Sequence, residues 1–280
     1  MIFKYINKTV TLPIKKIAMN LDLTGKTAFV CGSTQGIGKA TAIELALLGA
    51  SITLVARNEE KLKAVLDELP RKKGQKHRYL LIDFSKTNQI KSRIERHLSK
   101  YPEAHILVNN TGGPVGGPVL EASTELFTQT FNEHVVSAQI LTQAIAPTMI
   151  KAGFGRIINV TSIGMKQPIV GLGVSNTVRG AMGNWAKSVA NELGKYGITT
   201  NNVLPGYTTT ARLQKVNEMK ATSTGKPIAE VEQELIKDIP IGRFTTPQET
   251  ASVIAFLCSP AAASVNGVSI PVDGGKTSSL

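Results

Sequence analysis

The sequence predicts a single doubly wound α/β domain, a parallel sheet of seven strands with helices on both faces. Short apolar runs without internal polar alternation recur along the chain, each followed by a stretch of helical patterning, as expected of strands buried on both faces. Hydrophobic residues make up 42% of the chain, enough to cover such a sheet on both sides. No composition break or linker interrupts the series, so residues 21–280 read as one unit, although the length alone would also admit two small domains.

Thr27–Cys31 is the first apolar run, followed by a glycine-rich turn and a helix over Ile37–Leu48. Ser51–Val55 is the second strand, with a charged helix over Asn58–Leu69. Tyr79–Ile82 is the third, with a helix near Lys86–Lys100, and Ile106–Val108 is the fourth. One long helical pattern then runs from about Thr124 to Ile150. Arg156–Val160 is the fifth strand, a helix covers about Val174–Leu193, Thr199–Val203 is the sixth strand and Ser269–Val272 the seventh.

The formal net charge of +12 bears on solubility and partners, not on fold. It fits a solvated basic surface or an acidic partner. Part of it is local: residues 1–20 carry Lys4, Lys8, Lys15 and Lys16 and no acid, and Arg71–Arg78 is a basic polar loop. No aromatic residue interleaves with that loop, so no nucleic acid is expected. The basic extension, residues 1–20, has neither the apolar core nor the cleavage site of a signal peptide, and Met19 stands directly before Asn20-Leu21-Asp22-Leu23. It reads as a flexible arm, an extra edge element or an over-called translation start. No apolar run approaches the ~20 residues that cross a bilayer, so no membrane contact is expected. Cys31 and Cys258 lie too far apart to suggest a metal site or a disulfide scaffold; no metal is expected, and the cytoplasm is the simplest location.

Sheets of this kind bind ligands outside the carboxyl ends of their strands, where the strand order reverses. The first strand-to-helix turn is Gly32-Ser33-Thr34-Gln35-Gly36-Ile37-Gly38, the candidate cradle for a dinucleotide pyrophosphate in a Rossmann-type unit. Gly32 permits the tight turn, Gly36 lets the backbone approach the phosphates, and Gly38 allows close helix packing. The phosphates would rest on the helix N-terminus. The second strand ends Val55-Ala56-Arg57-Asn58, with no acid to bind a ribose 2′-hydroxyl. Arg57 presents a planar charged fork suited to a 2′-phosphate, with Ser33 and Thr34 as hydroxyl contacts, so NADP(H) is the expected cofactor.

From about Leu23 to Gly275 the chain resembles the short-chain dehydrogenase/reductase family, in particular members like 3-oxoacyl-acyl-carrier-protein reductase. The resemblance implies an adenine contact at Asp83 with Phe84 beside it. Asn110, Thr111 and Gly112 stand in the family's Asn-Asn-Ala-Gly segment, and Val272-Asp273-Gly274-Gly275 in its C-terminal signature. Pro205 and Gly206 match the segment beside the nicotinamide, with Thr208 and Thr210 as carboxamide contacts.

The catalytic positions depart from that pattern. The family's serine survives as Ser162, but Ser175 stands at its tyrosine, Arg179 at its lysine and His134 at its asparagine. A serine hydroxyl is a far weaker acid than a phenol, and an arginine effectively keeps its proton. Ser175 and Arg179, four residues apart, still share one helix face. Arg179 is also a candidate ribose contact. His134 is a candidate proton donor or relay, and Lys166, four residues after Ser162, a second. Two functions stand open: an NADP(H)-dependent reductase or dehydrogenase of a small carbonyl or alcohol, with 3-oxoacyl thioesters or similar β-keto compounds first to try, and an NADP(H)-binding protein with little catalysis. The resemblance further implies a homotetramer or homodimer, with Leu141, Ile145, Met149 and Trp185 either at its interface or facing the sheet.

Overall fold

In the computed structural model, which describes residues 19–279, alternation of side chains across each strand builds two cores. Within β1 (Thr27–Cys31), Ala28 and Val30 enter one core while Phe29 and Cys31 enter the other. β2 (Ser51–Ala56) sends Ile52 and Leu54 one way and Val55 the other, and β4 (Ile106–Asn109) sends Ile106 and Val108 against Leu107. With β3 (Arg78–Leu81), β5 (Gly155–Val160), β6 (Ile198–Pro205) and β7 (Ser269–Val272) these form one parallel sheet in the order β3-β2-β1-β4-β5-β6-β7. The order reverses between β1 and β4, so the cleft opens beyond their carboxyl ends.

Helices α1 (Gly36–Leu47), α2 (Glu59–Glu68) and α9 (Pro247–Cys258) cover the first core through Leu45, Leu62 and Leu257. On the opposite face lie α3 (Thr87–Lys100), α5 (Ser137–Ala152) and α6 (Gly173–Leu193), with Ile90, Ile94, Leu141, Ile145 and Met149 buried against the sheet. The last three therefore face the sheet and offer no interface surface. Trp185 is half-buried, and its indole N–H donates to Gln139 at 2.8 Å.

Several bounds differ from expectation. β3 begins one residue early, and β6 extends through Pro205. The long helical pattern over 124–150 is not one helix. α4 (Thr124–Phe131) passes into a π-helical turn at Asn132–Val136 before α5 begins. The N–H of Ser137 reaches back five residues to the Asn132 carbonyl, and its hydroxyl donates to the same oxygen at 3.0 Å. That wide turn directs His134 inward. α7 (Ala211–Thr224) and α8 (Ile228–Lys237) complete the helices, and Thr246 opens α9 with a capping box to Glu249.

A row of buried amides fastens the sheet below the cleft. Asn109 donates to Asn159 at 2.9 Å, Asn159 to Asn202 at 3.0 Å, and Asn202 to the Ser269 hydroxyl at 3.1 Å, each pair in register across adjacent strands. Residues 1–18 of the basic extension lie outside the described residues; Asn20 is already held, its carbonyl accepting from the N–H of Ala261. Among the described residues no helix is long and apolar enough to cross a membrane.

Candidate active site

The glycine turn between β1 and α1 is shaped by what it excludes. A Cβ at Gly38 would lie 2.2 Å from the Gly32 carbonyl oxygen, and one at Gly32 would lie 2.5 Å from the Asn110 carbonyl oxygen. Gly36 has φ +54°, and a Cβ there would press on the Thr210 methyl. Asn110 seals the turn from the other side, its amide donating to the Cys31 carbonyl at 3.2 Å. Gln35 is the extended N-cap of α1 without a side-chain cap, and no acid stands in the first turn. The free N–H groups near Gly36, Ile37 and Gly38 and the helix dipole are thus available to a phosphate, and the turn fits a dinucleotide.

Ser33 corrects one expectation. It is fully buried, and its hydroxyl accepts the Val55 N–H at 3.0 Å, so it ties the turn to β2 and cannot reach a 2′-phosphate. Thr34 is half-buried beside it. Arg57 is exposed just beyond β2, with no ion pair among the described residues. Across from it lies Asp83. Burial raises its carboxyl, but the Ser85 hydroxyl and N–H, with Arg57 and Lys86 nearby, outweigh that and hold it below the usual carboxylate range. Phe84 is half-buried against the second core.

Past β5, Ser162 is half-buried, and its hydroxyl accepts the Gly164 N–H at 3.1 Å. Ser175 is half-buried in the first turn of α6. One turn later Arg179 is 8% exposed, and Nη1 donates to the Val160 carbonyl at 2.7 Å, so it is bound into the end of β5. Burial, with Arg212 adding repulsion, pushes its guanidinium down to about 10, still cationic at neutral pH.

His134, expected as a proton donor or relay, is buried and held neutral. It is 5% exposed, and its Nδ1 lies 2.5 Å from the Thr111 hydroxyl. Burial, then the Arg179 charge, lowers its pKa to about 2, so it stays neutral. Among the described residues its Nε2 has no hydrogen-bond partner, and the ring lines a void of about 10 Å³ with Asn109, Thr111, Phe84 and Arg179. Lys166 is exposed at the end of the helical turn Ile163–Met165.

On the far side, Pro205 ends β6, and Gly206 admits Asp273, whose Cβ would lie 2.6 Å from any Cβ there. The two threonine hydroxyls expected to hold a carboxamide are engaged within the chain. Thr208 is buried, 3.0 Å from the Thr245 hydroxyl, while Thr210 caps α7 and donates to the Thr208 carbonyl. Gly112 is exposed in the loop after β4. Arg212, which no motif had marked, reaches across that loop: its Nη2 donates to the Pro114 carbonyl at 2.5 Å. Asn176 was also missed; its amide brackets Ile169, donating to its carbonyl at 2.8 Å and accepting its N–H, and so pins the loop after β5 to α6.

A family profile described as Enoyl-(Acyl carrier protein) reductase matches residues 32–277. A tropinone reductase homolog of Arabidopsis thaliana is 32% identical over 256 residues, covering 91% of this chain and 93% of the relative. The 3-oxoacyl-acyl-carrier-protein reductase FabG of Aquifex aeolicus is 31% identical over 258 residues, covering 92% and 99%. Among solved structures, L-sorbose reductase from Gluconobacter frateurii, complexed with NADPH and L-sorbose, superposes with a TM-score of 0.87 at 31% identity, over 94% of this chain and 100% of that one.

Proposed function

The chain belongs to the short-chain dehydrogenase/reductase family, and on that premise we propose that it is an NADP(H)-dependent oxidoreductase acting on a small carbonyl or alcohol substrate. The observation that carries the cofactor choice is Arg57, exposed, in no ion pair among the described residues and beside a strand end that has no carboxylate. The NADPH held by the sorbose reductase supports the same choice. When bound, the nicotinamide supplies or accepts the hydride.

The chain's own residues do the rest. The Ser162 hydroxyl holds the substrate oxygen. Arg179, a buried cation fixed on the Val160 carbonyl, favours negative charge developing on that oxygen. Ser175 supplies a hydroxyl without useful acidity. With His134 neutral, Lys166 and solvent are left to deliver the proton. β-Keto compounds such as 3-oxoacyl thioesters are the first substrates to test, by similarity to the Aquifex reductase. We place the protein in the cytoplasm as a homotetramer or homodimer, an assembly that light scattering at micromolar concentration tests.

The replacement of the family's tyrosine and lysine by Ser175 and Arg179 favours one second reading, a protein that binds NADP(H) and catalyses little. Titration of NADPH and NADH, followed by a carbonyl and alcohol screen, tests both. NADPH should bind at least about tenfold more tightly, since a charged hydrogen bond is worth ~1.5–3 kcal/mol. Arg57→Ala should narrow the ratio and Ala56→Asp should reverse it. Equal affinities in the unmodified protein refute the cofactor assignment, and tight NADPH binding without turnover favours the second reading.

A further inference from the structure

Three segments wall the cleft beyond β4, β5 and β6: residues 110–118, 161–174 and 205–217. None contains an Asp or Glu, and the acid-free stretch after β5 continues to residue 191. Within them and the adjoining α6 stand Lys166, Arg179, Lys187, Arg212 and Lys215, and no ion pair among the described residues involves any of the five. Arg212 is exposed and is the one whose guanidinium bridges to the loop after β4. It sits in the first turn of α7, behind the Thr210 cap whose methyl abuts Gly36. Its guanidinium lies across the loop after β4, bonded to the Pro114 carbonyl and 3.5 Å from where a Gly113 Cβ would stand.

That is an unfavourable place for a cation. The N-terminal turn of a helix carries the positive end of its dipole. A second guanidinium, Arg179, is close enough to feel Arg212 as repulsion. Among the described residues no carboxylate pairs with either charge, and a cleft lined by one sign of charge concentrates counter-ions. Among the described residues only one of the five N–H donors of Arg212 is bonded, to Pro114, so the others remain for an incoming anion.

We propose that Arg212 is a specificity-determining residue that binds an anionic group, a carboxylate by preference, on the substrate. This rests on the reductase reading and narrows it toward oxo acids over their neutral esters. A phosphate of the cofactor could satisfy the same guanidinium, and the experiment separates the two sources.

The protein is loaded with NADP+, which cannot reduce a ketone, so binding is read without turnover. Dissociation constants are then measured calorimetrically for pyruvate, acetoacetate and 4-oxopentanoate, each against its methyl ester. At least one acid should bind roughly ten- to a hundredfold more tightly than its ester, the range of a charge-assisted hydrogen bond. Arg212→Gln should erase that difference, leave the ester unchanged and keep NADP+ affinity within about twofold, and Arg212→Lys should restore part of it. Acids that bind no better than their esters overturn the proposal. So does an Arg212→Gln protein whose main loss is in NADP+ affinity, which would assign the arginine to the cofactor. A strong preference for acids without turnover on NADPH sustains the anion site and counts against the reductase reading alone.

Discussion

His134 stores a pH dependence that can be measured without knowing the substrate. The unfolded imidazole takes up a proton near its ordinary value of 6.5, whereas the folded one is held down to about 2 by burial and by Arg179. Between those values the unfolded state binds the extra proton, so stability is fully present above 6.5 and falls as the pH drops. Each pH unit in that window is worth about 1.4 kcal/mol, which makes the loss about 2 kcal/mol between neutrality and pH 5. His97, lowered to about 4 by burial and Arg78, adds a loss of the same sign. A comparison of wild type with His134→Asn removes that background, because both keep His97. Urea unfolding at pH 7 and pH 5 should therefore show wild type losing about 2 kcal/mol more than the variant. Equal losses would mean that His134 is not held neutral by its surroundings, and the assignment of a structural role would fail.

Two further substitutions probe the turn and the altered acid. Gly38→Ala sets a Cβ against the Gly32 carbonyl, a backbone atom that cannot swing aside, so stability should fall by about 1–3 kcal/mol in urea unfolding and NADPH affinity should fall with it. Ser175→Ala should reduce turnover on any substrate found by less than the ~10²-fold that general acid catalysis contributes at minimum, as measured by steady-state kinetics.

The sheet was legible because parallel strands buried on both faces read as unbroken apolar runs, and each of the seven was found to within a few residues. The π turn was not. Phe131, Val135 and Leu141 fit a single amphipathic helix, and nothing in their spacing announces the wider turn that points His134 inward. α9 carries a usable signal in the sequence, Thr246-Pro247-Gln248-Glu249, a capping box with proline at its first position. α7 carried less, since among its apolar residues only Leu213 and Ala221 are buried. At the site, motif position marked Ser162, Ser175, Arg179 and Arg57 as candidates. It could not show that the Ser33 and Thr208 hydroxyls are spent inside the chain, because that depends on Val55 and Thr245, 22 and 37 residues away. Arg212 was invisible for the same reason: its partner Pro114 is 98 residues distant.

The most direct test of the account is the rate of NADPH oxidation on a carbonyl substrate from the screen, compared between wild type and Ser162→Ala. Arg179→Ala serves as a second variant, and NADPH binding to each protein is measured alongside. If hydride transfer runs through this site, Ser162→Ala should lower turnover roughly 10²-fold or more while leaving NADPH affinity unchanged, as loss of a hydrogen bond to the reacting oxygen does elsewhere. Arg179→Ala should lower turnover as well. Wild-type rates in both variants would contradict the account and place the chemistry outside the cleft formed by β4, β5 and α6.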